Sequence, residues 1–311
     1  MCKKALVVSS GGSKGAYAGG IIEYLMQKKN WDIFVGSSTG SLISSMIACG
    51  DISHLKEHYT NISPNKIYTR DPFIIKSSNN GIFKFSINHF NIILNLIMYG
   101  KKTLGNTYNL RLLISEVFTE NHFNFVINSD KDIIICVTNL TTRSLETKSI
   151  KDFNYIDFCD WIWASTCAPP FMSIVEKNNF EYVDGGVIRA VPIKEAIIAG
   201  ATEIDAIVLN EKENKYPIEK VRNALHLIQM ISRTMLLKNQ EEDLDLSKLK
   251  KEIKIEEDIR LNIYHTHRDL TNNSLLFDKQ LMNQWWEEGY LHAEGGNYSS
   301  FIISRNHIKE L

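Results

Sequence analysis

An excess of charge of either sign is the first thing this 311-residue chain lacks: 35 Lys and Arg stand against 36 Asp and Glu, a formal net charge of −1. That balance excludes a general attraction to nucleic acid and leaves electrostatic recognition to local patches. Paired cysteines are missing too. Cys2, Cys49, Cys136, Cys159 and Cys167 are odd in number, form no CxxC and fall mainly within apolar runs. A disulfide framework and a structural metal are therefore not expected, and a reducing compartment is. No apolar run reaches the roughly 18 residues of a membrane span. The run after Met1-Cys2-Lys3-Lys4 stops at Ser9, too short for the apolar core of a signal peptide. The expected location is cytoplasmic, with any membrane reached from its surface. With 44% hydrophobic and 23% charged residues, neither disorder nor a fibrous repeat is indicated.

What is present is organised around residues 31–49. The apolar run Trp31-Asp32-Ile33-Phe34-Val35 has the length of a buried strand, meets Gly36-Ser37-Ser38-Thr39-Gly40, and passes at once into helix-like Ser41-Leu42-Ile43. A Gly-x-Ser-x-Gly between strand and helix is a nucleophile elbow, which makes Ser38 the candidate nucleophile. Gly36 and Gly40 leave room in a turn where a Cβ would clash. The helix N-terminus favours negative charge developing on an alkoxide or a carbonyl oxygen.

Upstream, Ala5-Leu6-Val7-Val8 reads as a buried strand, Ser9-Ser10-Gly11-Gly12-Ser13-Lys14-Gly15 as a glycine loop, and Ala16 to about Lys28 as a helix. Such a loop offers backbone N–H groups to a phosphate or to an oxyanion, and both readings stand at this point. It is not a Walker A sequence, and Ser10 occupies the place where a dinucleotide fingerprint needs its first glycine. The elbow follows one helix and one strand later. The two loops can therefore lie side by side at the C-terminal ends of neighbouring parallel strands. An ordinary α/β-hydrolase places several strands before its elbow and a histidine late in the chain, unlike this order.

From residue 61 to residue 102 six cationic side chains (Lys66, Arg70, Lys76, Lys84, Lys101, Lys102) face one acid, Asp71, a net +5. Within this stretch Phe90 to Tyr99 is strongly apolar. An apolar helix flanked by lysines suits an interfacial membrane contact or lid; the alternative is a core helix with a basic rim. Leu110 to Phe118 reads as a helix, Asp132 to Thr138 as a buried strand, about 145–150 as its hairpin partner, and Tyr155 to Ser165 as an aromatic helix. The helix runs into Ala164-Ser165-Thr166-Cys167-Ala168-Pro169-Pro170-Phe171. Trp161, Trp163 and Phe171 are candidates either for an acyl pocket or for plain core. Phe180-Glu181-Tyr182-Val183 is a strand ending in Asp184-Gly185-Gly186, where a carboxylate can approach another loop closely, which suits a general base or a base-orienting partner; a plain turn is the alternative. Pro192 opens another helix, and Ile204 to Leu209 is a strand. Ile218 to about Ile259 reads as one or two long helices with a solvated, charged face. Tyr264-His265-Thr266-His267 reads as a short strand whose histidines have metal-like spacing without an acidic or Cys partner, so no metal is assigned. Leu275 to Ala293 is helical and a tail follows.

Taken in order, Ser10-Gly11-Gly12-Ser13-Lys14-Gly15, Gly36-Ser37-Ser38-Thr39-Gly40, Ala164 to Phe171 and Asp184-Gly185-Gly186 resemble the patatin-like phospholipases over about residues 4–210. Weaker similarity appears at Phe277-Asp278 and Gly289-Tyr290. The resemblance implies an α/β fold of three layers, α/β/α, with a mainly parallel central sheet. It further implies one domain over 1–311, a basic and apolar insertion or lid at about 61–105, and a helical C-terminal region at about 218–311. The implied activity is that of a serine lipid acyl hydrolase of phospholipase A or lysophospholipase type. Ser38 and Asp184 map onto the family's catalytic dyad, and Gly11, Gly12 and Ser13 onto its oxyanion hole. Ser10, Lys14, Gly15, Gly36, Gly40, Gly185 and Gly186 complete the motifs, with Ser10 replacing the family's first loop glycine and Lys14 its usual Arg. No metal or organic cofactor is implied. The expected partner is a phospholipid or another fatty-acyl ester, with peripheral membrane contact through residues 66–102 and no nucleic acid. The rival readings are an acyltransferase or thioesterase on the same dyad, and a non-catalytic lipid- or nucleotide-binding protein in which Ser38 only caps its helix.

Overall fold

Period-two alternation divides the core. In strand β1 (Lys3–Val8) Leu6 and Val8 enter one apolar cluster while Ala5 and Val7 enter another, and in β2 (Ile33–Ser37) Phe34 parts from Ile33 and Val35 in the same way. Strands buried on both faces belong to a sheet covered by helices on both sides. The computed structural model describes residues 2–311 except 78–82, 213–219, 272, 276 and 306, and leaves out the side chains of 75–77, 83–85 and 225.

A small hairpin, β3 (Phe73–Ser77) with β4 (Phe83–Ile87), stands apart from the main sheet. That sheet contains β5 (Asp132–Asn139), β6 (Ser144–Ser149), β7 (Val175–Lys177), β8 (Phe180–Asp184), β9 (Ala201–Val208), β10 (Ile259–His265), β11 (Ser299–Ile303) and β12 (Ile308–Glu310), with β1 and β2 at its centre. β10, β9, β1, β2 and β5 run parallel in that order; the flanking pairs are antiparallel. Helices Gly15–Leu25, Thr39–Ala48, Tyr155–Thr166 and Lys279–Glu294 cover one face. Ile193–Ile198, Leu246–Glu252 and part of Ala224–Asp243 cover the other, giving the three-layer α/β/α arrangement.

One feature of the register brings distant segments together. β6 occupies one edge of β5 over Ile134 to Asn139. The opposite edge is shared end to end: β2 pairs with it up to Ser37 opposite Cys136, and β8, running the other way, begins its pairing with Asp184 opposite Val137. The C-terminal ends of β2 and β8 thus meet head to head.

Two expectations need correction. The C-terminal region is not simply helical, and no loose tail follows: besides helices Ala224–Asp243, Leu246–Glu252 and Lys279–Glu294 it supplies β10, β11 and β12. The last two form an antiparallel edge, with Phe301 opposite Leu261 and Glu310. Strands of five and three residues owe their existence to pairing, which hydrophobic spacing does not reveal. Residues 90–99 are also not one regular helix. His89–Ile93 is α-helical and Leu94–Met98 is a π-helical turn, with buried Asn95 donating through Nδ2 to the Thr103 carbonyl at 2.7 Å. The core-helix alternative fails here, since Phe90, Ile97 and Met98 are each more than 70% exposed.

Candidate active site

Ser38 sits where β2 turns into helix Thr39–Ala48, at φ 56° and ψ −128°, a backbone region costly for any residue with a Cβ. The close approach of Gly36 and Gly40 makes the turn possible: a Cβ on Gly40 would stand 2.1 Å from the Val8 carbonyl oxygen, and one on Gly36 2.3 Å from that of Gly40. Ser165, on helix Tyr155–Thr166, holds the elbow from behind by accepting the Ser38 N–H at 3.0 Å.

The Ser38 hydroxyl forms no capping bond to its own helix; it donates to Asp184 Oδ2 at 2.6 Å. Asp184 closes β8, and its other oxygen accepts the Gly186 N–H at 2.7 Å. Both side chains are almost wholly buried. Burial pushes the Asp184 carboxyl up to about 7, against smaller opposing effects from the Ser38 hydroxyl and the Gly186 N–H. A carboxylate so tuned is a far better base near neutral pH than an ordinary aspartate.

The glycine loop follows β1. Among the described residues neither the Gly11 nor the Gly12 N–H has a hydrogen-bond partner, whereas the Ser13 N–H donates to the Ser274 carbonyl at 2.8 Å. Ser13, expected as a third oxyanion donor, therefore has its amide engaged. Gly12 has φ +55°, and a Cβ there would lie 2.1 Å from the Ser274 carbonyl oxygen. Tyr59, on helix Ile52–Thr60, ties loop to elbow: its hydroxyl donates to the Gly12 carbonyl at 2.6 Å and bonds the Thr39 hydroxyl. Lys14 is buried, and its Nζ donates to Asn210 Oδ1 at 2.6 Å; burial lowers its ammonium to about 8. Among the described residues no group of three or more His, Cys, Asp or Glu is placed to hold a metal ion.

The family model described as patatin-like phospholipase matches residues 6–197, which takes in the glycine loop, the elbow and the Asp-Gly-Gly turn. The chain belongs to the patatin-like phospholipase family. It is accordingly a lipid acyl hydrolase, an enzyme cleaving carboxylic esters. Among solved structures it is similar to VipD from Legionella pneumophila, at 16% identity and a TM-score of 0.46, over 96% of this chain and 68% of that one. No curated protein matches it.

Other residues singled out from the sequence part company here. Trp161 packs edge-on against Tyr182 at 4.8 Å beneath Lys148 and Lys177, a packing role. Phe171 is buried against Phe73. Trp163, whose indole donates to Thr107 Oγ1 at 3.3 Å, lines a cavity of about 600 Å³ together with Tyr99, Tyr108 and Ser173. His265 Nδ1 lies 3.3 Å from the Asn210 carbonyl oxygen and His267 Nδ1 3.1 Å from the Tyr17 hydroxyl, so the histidine pair is engaged within the fold.

The sequence reading missed the end of helix Ala224–Asp243. Asn239 Nδ2 donates to the Gly186 and Val187 carbonyls at 3.2 and 2.6 Å, and Gln240 Nε2 to that of Ser10 at 3.4 Å. Asp243 accepts the Ala190 and Val191 N–H groups at 2.8 and 2.9 Å and pairs with Arg189. One helix end thus touches both the glycine loop and the Asp-Gly-Gly turn. Alternating charges had made it resemble a solvated face, and only the run Asn239-Gln240 followed by Asp243 hinted otherwise.

Proposed function

We propose that this chain hydrolyses fatty-acyl esters of phospholipids or lysophospholipids through an acyl-serine on Ser38, with Asp184 as the base. The observation that carries this reading is the 2.6 Å contact between the Ser38 hydroxyl and Asp184; the glycine loop, whose Ser10 closely approaches Gly186, supports it with the uncommitted Gly11 and Gly12 amides. Asp184 takes the Ser38 proton as Oγ attacks the ester carbonyl. The tetrahedral oxyanion is held by the Gly11 and Gly12 N–H groups, and the leaving alcohol departs with the proton. Water, deprotonated by the same carboxylate, then releases the fatty acid. The capping alternative loses its support, because the Ser38 side chain bonds Asp184 and not its helix.

A lipid substrate has to be met at a surface. No described helix is long and apolar enough to cross a membrane. Within a chain read as a single unit, residues 61–105 serve as the segment that meets the bilayer peripherally. Phe90, Ile93, Ile97, Met98 and Tyr99 are exposed there, beside Lys101. Lys102 contributes less, being bonded to Glu176 and Glu181. The side chains of Lys76 and Lys84 lie outside the described residues.

Fluorophosphonate labelling with acyl-labelled phospholipid hydrolysis tests the proposal. Modification at Ser38 and release of free fatty acid are expected, both lost in Ser38→Ala and Asp184→Asn. Transfer of the label to an added alcohol in preference to water would make the protein a transferase. An unlabelled Ser38 would remove the dyad.

A further inference from the structure

The turn that presents Asp184 is built from two glycines, and neither admits a side chain. A Cβ on Gly185 would stand 2.2 Å from the Cys136 carbonyl oxygen, and one on Gly186 2.8 Å from the Ser10 hydroxyl. Close approach of β5 and the glycine loop thus imposes residues with the least intrinsic stiffness at the place where a carboxylate needs fixed partners. Stiffness has to come from outside the turn. It comes from three side chains. Ser37 Oγ donates to the Arg189 carbonyl at 2.7 Å, Asp243 holds the Ala190 and Val191 amides, and Asn239 holds the carbonyls of Gly186 and Val187.

We propose that Asn239 is a positioning residue for the dyad: with both Nδ2 hydrogens on consecutive carbonyls, it fixes the 185–187 turn so that the Gly186 N–H stays on the Asp184 carboxylate. The inference rests on the dyad reading above. Of the three supports, Asn239 acts nearest to Asp184, since the carbonyl it holds belongs to the same glycine whose N–H meets Oδ1. Donation by that N–H favours the ionised carboxylate, which is the form able to take the Ser38 proton. The same helix end reaches the Ser10 carbonyl through the neighbouring Gln240, so the positioning extends to the start of the oxyanion loop. Lys238, one residue earlier, faces solvent and pairs with Glu241.

The test compares Asn239→Ala, Asn239→Leu and Asn239→Gln with the wild type and with Lys238→Ala. Hydrolysis and Ser38 labelling are followed between about pH 5 and pH 9. A weakened Gly186 hydrogen bond raises the Asp184 pKa. The acid-side midpoint is therefore expected to move up by about half a unit or more in Asn239→Ala and Asn239→Leu, the latter keeping the shape and adding no charge but losing the donors. Asn239→Gln, which keeps an amide donor, is expected to move back towards the wild type, and Lys238→Ala to remain with it. A lower rate at an unshifted midpoint in all three Asn239 variants would make the residue merely structural and overturn the proposal. Should Asn239→Ala not be recovered folded, Asn239→Leu against Asn239→Gln carries the comparison, and equal midpoints in that pair overturn it equally. Full activity in Ser38→Ala or Asp184→Asn, measured alongside, would instead overturn the dyad itself and the positioning role with it.

Discussion

The Ser165 hydroxyl accepts the Ser38 N–H at 3.0 Å, accepts the Ser41 hydroxyl at 2.6 Å and donates to the Cys136 carbonyl at 2.7 Å. One donor and two acceptors exhaust what a serine can offer, so this buried group is fully satisfied. Ser165→Ala leaves the Ser38 amide and the Ser41 hydroxyl unpaired, a loss of about 1–3 kcal/mol of stability, read by urea unfolding. Because the same bond restrains the positive φ of Ser38, labelling of Ser38 is expected to slow by more than the folded fraction falls. Unchanged stability and labelling would show that the elbow holds itself.

Asp184 carries the clearest pH signature. Its folded-state carboxyl is raised to about 7 by burial, while in the unfolded chain it titrates near 3.8. Between those values the folded protein holds a proton that the unfolded one has lost, so this group's contribution to stability falls as pH rises through the window and is flat above it. Asp184→Asn removes the penalty and preserves the shape. The variant is expected to be inactive yet more stable than the wild type at pH 8, by up to about 4 kcal/mol, with the gap closing as pH falls towards 4. Denaturant melts across that range check it. Equal stability at pH 8 would mean that the carboxylate is not desolvated.

Legibility in the sequence follows from how local each requirement is. Ser38 could be named because the glycines around it answer to nearby backbone, Gly36 to Gly40, and Asp184 because Asp-Gly-Gly is a recognisable turn, although the reason for Gly185 lies on another strand, at Cys136 of β5. Their meeting depends on β2 and β8 sharing one edge of β5, which the order of motifs along the chain suggests but no spacing states. The bonds of Asn239 and Gln240 run to carbonyls 53 and 230 residues away, and the run of amides in the helix hints at a role without naming those partners. The engagement of the Ser13 amide by Ser274 was hidden for a similar reason.

Glycine substitutions separate close approach from backbone freedom. Gly40 has no positive φ, but its Cβ would be driven into the Val8 carbonyl, so Gly40→Ala must push β1 and the elbow helix apart. A loss of about 3 kcal/mol or more is expected, together with loss of activity. Gly50 is the counterpart, at φ +80° with nothing within 4 Å. Gly50→Ala pays only for left-handed backbone, about 1 kcal/mol, and is expected to leave activity unchanged. Thermal melts and Ser38 labelling on the two proteins discriminate, and similar losses in both would remove the steric account.

The exposed strip on residues 89–99 gives a prediction that is independent of the chemistry. Phe90 and Ile97 are 73% and 74% exposed, and Lys101 follows close behind. Fully burying a side chain of this size is worth about 1.5–3 kcal/mol, and a lysine near an anionic surface about 1 kcal/mol. Phe90→Ser combined with Ile97→Ser is therefore expected to weaken binding to anionic vesicles by about tenfold or more, at low and at high salt alike. Lys101→Gln is expected to weaken it by about fivefold at low salt and hardly at all at high salt, where screening has already removed its contribution. Hydrolysis of a monomeric ester in solution needs no docking and is expected to survive both changes. Vesicle binding that ignores the apolar pair would place the lipid contact elsewhere on the protein, and loss of monomeric-ester hydrolysis would mean that the strip supports the site and not the membrane.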